Sequence, residues 1–157
     1  MDAAAPPISA AWAASSRGAA TQTARLLAIL VSLASAAVLG LGAWITPDAA
    51  GHGSHTQLGL PPCAWAVVLH RPCPTCGMTT AVSHAAHGHF IRAFLAQPFG
   101  LVVALALTVA FWSGLHVAAF GSHLGPLYAR LMTPRVLWAI AAVAAASWAY
   151  KWATWQA

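Results

Sequence analysis

Leu26 to Ile45 and Pro98 to Phe120 each run without a charged residue, and an Ala- and Trp-rich stretch from Val136 to about Trp155 carries only Lys151. An apolar run of about 20 residues, wound as a helix, matches the thickness of a bilayer's hydrocarbon core. Three such runs predict an all-α integral membrane protein with spans at about 26–45, 98–120 and 135–155. Pro98 and Pro134 stand where prolines open helices, and Pro47 stands where one closes.

The overall balance of residues agrees. The chain of 157 residues is 60% hydrophobic and 6% charged, against roughly a quarter charged in a soluble domain. A net charge of +5 raises the question of nucleic acid, which requires basic side chains gathered on one face. Here Arg17, Arg25, Arg71, Arg92, Arg130, Arg135 and Lys151 are dispersed and fall near the ends of apolar runs. That is the placement of cations that reach lipid headgroups, so the expected partner is the bilayer, not nucleic acid.

Residues 1–24 are Ala/Pro/Ser-rich without helical or strand period, which predicts a disordered leader before one membrane domain over 25–157. A cleaved signal peptide competes with the first span, although signal cores are only about 7–15 residues long. Between the first two spans lies a polar and interrupted segment, 58–97. Its opening apolar stretch, Leu58 to Leu69, is broken by Pro61-Pro62 and is too short to cross as a helix. It is expected at the interface or as a re-entrant piece, carrying Cys63 and an interfacial Trp65.

The chemistry concentrates in Cys73-Pro74-Thr75-Cys76-Gly77. Two cysteines with two residues between them can turn both sulfurs to one point, and a glycine after the second permits a left-handed turn. A helix expected after Gly77 favours thiolate over thiol. His70 precedes Cys73 by three residues, Cys63 lies upstream, and His84, His87 and His89 follow, with His84 and His87 on one helical face. The candidate metal ligands are therefore Cys73, Cys76, His70, Cys63, His84 and His87. Zinc suits such a set, and copper(I) is the second choice where soft donors such as Met78 join.

The same cysteines allow two other readings. Cys-Pro-x-Cys before a helix is the pattern of thiol–disulfide exchange, with Cys73 attacking and Cys76 resolving, although no βαβ pattern surrounds it. Alternatively the cysteines shape a turn in a structural subunit whose Ala and Trp faces join a larger membrane complex. The c-type haem attachment motif is absent, since Gly77 and not His follows Cys76.

Cys73-Pro74-Thr75-Cys76-Gly77-Met78-Thr79, then Gly88, the helix Phe90 to Leu95, and Gln97-Pro98 opening a span resemble the bacterial membrane family called domain of unknown function 2752. The resemblance implies a small multi-span protein of the bacterial inner membrane whose shared feature is the cysteine motif, without an activity to carry over. This chain departs from the family at Thr80, where Arg is common, at His89, where an acid is common, and at Gln97, where Asn is common. The expected function is a non-enzymatic metal-binding or accessory module. Arg17, Arg25, Arg130 and Arg135 on one side, against Arg71, Arg92 and Lys151 on the other, favour a cytoplasmic N-terminus.

Overall fold

The computed structural model describes residues 22–122 and 133–155. The expected leader, apart from its last residues, and the cations Arg17 and Arg130 lie outside them. The regular elements among the described residues are all helices, without strands. Helix α1 spans Gln22–Trp44, a 3-10 turn Ser54–Leu58, α2 Ala64–Val68, α3 Met78–Ala86, α4 Phe90–Ala96, α5 Pro98–Phe120 and α6 Pro134–Ala153. Helices α1, α5 and α6 are long and apolar enough to cross a membrane, as the three apolar runs predict. Their large apolar side chains face outward, among them Leu33, Val109, Trp112 and Trp138, which is the arrangement of a membrane protein whose surroundings are themselves apolar.

Small residues set how closely α1 and α5 approach. A Cβ on Gly114 would collide with the Ser32 hydroxyl and would lie 2.7 Å from the Ala28 carbonyl oxygen. The Ser32 hydroxyl instead donates to the Phe111 carbonyl at 3.1 Å, a hydrogen bond across two spans of the kind that holds helices together in lipid. At the other end of α1, Gly42 admits Val82 of α3.

The short helices α3 and α4 are wedged among the ends of the spans, and α3 is the buried centre. Thr80, Ala81, Val82, Ser83 and His84 are all inaccessible or nearly so. Polar groups there are paired, as burial demands: Ser83 donates to the Ile45 carbonyl at 2.6 Å, and the Ser54 and Thr80 hydroxyls bond at 2.8 Å. Gln97 is buried too. Its Oε1 accepts from the Gly100 amide at 2.7 Å, capping α5, and its Nε2 donates to the Pro74 carbonyl at 3.3 Å.

Helix α6 is fastened by its polar C-terminal half. Ser147 accepts from the Phe99 amide at 3.0 Å, Trp148 Nε1 donates to Pro72 O at 3.2 Å, and the Tyr150 hydroxyl donates to Leu95 O at 3.1 Å. Lys151, read from sequence as an interfacial cation, is instead turned inward and 5% exposed, its Nζ donating at 3.1 Å to both Gly51 O and Ala96 O. The end of α1, the start of α5 and the end of α6 are thereby gathered around the cysteine segment.

The apolar stretch before that segment forms no long helix. Pro61 and Pro62 break it, and only the five residues of α2 follow. Trp65, Val67, Val68 and Leu69 are exposed along it.

Candidate functional site

The cysteine turn is built from backbone preferences. The Cys76 amide donates to Cys73 O at 3.0 Å and the Met78 amide to Thr75 O at 3.1 Å. Gly77 then takes φ 87° as the residue that opens α3, a conformation that costs other residues a Cβ clash. Space imposes the same choice, because a Cβ there would lie 2.7 Å from Gly51 O and 3.0 Å from Ala96 O. Those are the two carbonyls that receive Lys151.

Three sulfurs converge on this turn. The Sγ atoms of Cys63, Cys73 and Cys76 all lie within 4.8 Å of one another. All three are free thiols, Cys63 and Cys73 partly accessible and Cys76 buried. Cys63 arrives from the start of α2, where it is the capping residue. Thr75 Oγ1 lies 3.4 Å from Cys73 Sγ.

The thiols are electrostatically unequal. Burial pushes the Cys76 thiol up to about 12; the backbone hydrogen bond from Cys73 opposes this, and negative charge on Cys73 and Cys63 adds to it. At Cys63 burial also acts upward, but the Ala66 and Trp65 amides, together with the Cys73 and Cys76 side chains, outweigh it and bring the thiol below its ordinary value. Amides at a helix start favour thiolate in this way.

Among the described residues, the group of converging ligand atoms contains no histidine. Helix α3 explains why for two of them. Cys76 precedes its first turn and His84 and His87 stand at its last, so at 1.5 Å per residue the two ends are separated by roughly 12 Å. The histidines form a group of their own. His84 and His89 rings are 6.1 Å apart, His87 and His89 are 6.4 Å apart, and His87 Nδ1 lies 2.8 Å from Ser83 O. His70 is exposed, in the left-handed region at φ 51°.

The sulfurs open onto a cavity of about 530 Å³ between α1 and α3, lined by Val38, Leu41, Ile45 and Val82. His55 and Met78 line it too, and His55 Nε2 lies 3.2 Å from Pro61 O. His55 stands in a Gly/Ser/His loop that reads as solvated, and no spacing rule relates it to the cysteines. The 3-10 turn brings it there.

Thr80 and Gln97, two of the departures in the cysteine segment, have structural work here: Thr80 bonds Ser54, and Gln97 ties the Pro74 carbonyl to the start of α5. Fold and site together define a small helical membrane protein with a three-cysteine centre at one end of its spans. Residues 63–112 match the family described as "Protein of unknown function (DUF2752)", the family that the cysteine segment resembles. No curated protein and no solved structure matches the chain.

Proposed function

We propose that this chain is a non-enzymatic metal-binding module of the bacterial inner membrane, with its N-terminus in the cytoplasm, and that Cys63, Cys73 and Cys76 are the ligands. The observation that carries the reading is the convergence of three sulfurs within 4.8 Å. Zinc–sulfur bonds of about 2.3 Å in a tetrahedron set sulfurs roughly 3.8 Å apart, so small side-chain rotations suffice to close the site. Zinc is the first expectation and copper(I) the second, since three thiolates and a thioether from Met78 form a soft set. His55 and Met78 are the candidates for a fourth position, because both line the cavity onto which the sulfurs open. His70, His84 and His87 have no place in this ligand set.

Metal analysis of the purified protein tests the proposal. Wild type is expected to hold about one equivalent of metal, as a closed thiolate site does, and a Cys73→Ser, Cys76→Ser variant none. Metal retained at the same stoichiometry in that variant refutes it.

A membrane thiol–disulfide oxidoreductase is the second reading, favoured by the contrast between a lowered Cys63 thiol and a raised Cys76 thiol. That contrast points to Cys63 as the attacking group, where the sequence pattern alone suggests Cys73. A metal-free wild type whose cysteines cycle reversibly with a mild reductant would favour this second reading.

A further inference from the structure

A second cavity, of about 420 Å³, lies where the loop after α1 meets α4 and the end of α6. His84, Arg92 and Lys151 line it, with Gly51 and Ala96. The chain has only seven Lys and Arg residues, and two of them meet here with an imidazole. Asp48, the acidic residue among those described, does not line the cavity, and its Oδ1 is taken by the Ala50 amide at 2.8 Å.

Among the described residues, each of the three side chains keeps hydrogen-bonding capacity without a partner. Lys151 carries three donors, of which two go to Gly51 O and Ala96 O. His84 is 9% exposed, and its Nδ1 is buried without a hydrogen-bond partner among the described residues. A buried polar atom in that condition costs free energy unless something binds to it. Arg92 lies on the exposed side of α4 and offers five donors.

We propose that this cavity is a binding site for a phosphate-type oxyanion, with Arg92 and Lys151 supplying charge and His84 a neutral donor. Cations with open donors, in a cavity that no carboxylate among the described residues lines, select an anion, and a guanidinium matches two phosphate oxygens at once. Burial first, then the charges of His89, Arg92 and His87, lower the His84 pKa, which keeps the ring neutral and able to donate through one nitrogen. The site lies where three spans end, so the phosphate group belongs either to an anionic lipid headgroup or to a soluble molecule. The inference does not depend on metal at the cysteines.

The test uses the full chain in two arms: thermal shift in zwitterionic detergent with inorganic phosphate against chloride at equal ionic strength, and lipid retention by native mass spectrometry from phosphatidylglycerol against phosphatidylcholine nanodiscs. Stabilisation by phosphate identifies a soluble source, and selective retention of phosphatidylglycerol identifies a lipid. In either arm Arg92→Gln, at an exposed position, is expected to weaken binding about tenfold, and Arg92→Lys to restore part of it. Arg135→Gln, which removes the same charge at the start of α6, is expected to leave binding unchanged. No preference in both arms, or equal weakening by Arg92→Gln and Arg135→Gln, would overturn the proposal.

Discussion

A methyl group on Gly77 would meet two carbonyl oxygens at 3.0 Å or less, in a backbone already at φ 87°. Gly77→Ala is therefore expected to cost about 2 kcal/mol or more, combining left-handed strain with displaced carbonyls; thermal unfolding in detergent measures it. The thiols make a second prediction at this scale. Cys63 has a lowered pKa and Cys76 one pushed up to about 12, against an ordinary 9.0. Alkylation between pH 7 and 9, followed by mass spectrometry, should modify Cys63 faster than Cys76; equal rates at the two would contradict the assignment. The sign for stability follows. A buried thiol whose pKa is raised favours the fold fully below pH 9, where both states are protonated, and that contribution declines as pH rises from 9 toward 12. Metal binding must displace the same proton, so metal affinity should climb with pH. The cysteines were legible in the sequence because a local turn brings Cys73 and Cys76 together. Lys151 was not, because its contacts to Gly51 and Ala96 span 100 and 55 residues and near the end of a span it has the look of a headgroup anchor.

At the scale of helices, Gly114 and Gly40 make opposite predictions. Gly114→Leu must displace Ser32 and the Ala28 carbonyl from the α1–α5 seam and should cost about 1–3 kcal/mol through overpacking. Gly40 has nothing within 4 Å of its missing Cβ, so Gly40→Leu should be neutral or mildly stabilising through helix propensity. Melting curves of the two variants check the pair. The spans themselves were readable from sequence, since apolar length and proline position are local properties: Pro98 opens α5 and Pro134 opens α6. The histidines after the cysteine turn were harder to place. His84 and His87 share a helical face and look like ligands, but the rise along α3 carries them away from the sulfurs. A pattern of residue types gives direction around a helix more readily than distance along it.

For the molecule as a whole, the contacts of Lys151 with Gly51 and Ala96 put the loop after α1, the residue pair before α5 and the end of α6 on one side. With three helices able to cross, the start of α1 lies opposite. A reporter fused after Ala157 and a membrane-impermeant thiol reagent at Cys73 should accordingly report the same compartment in sealed cells. Opposite readings would show that α6 does not cross as α1 and α5 do. The tie between Trp148 and Pro72 bridges 76 residues, and this has a consequence for the order of events during synthesis. The cysteine turn emerges from the ribosome long before α6 exists to brace it. Until that last helix is inserted, the turn lacks the indole bond at Pro72 and the ammonium beneath Gly77, so its thiols meet their surroundings in an unfinished frame. Loading or oxidation during that interval would be kinetically distinct from the same reaction on the finished protein, and the rate at which α6 is delivered would set how long the interval lasts.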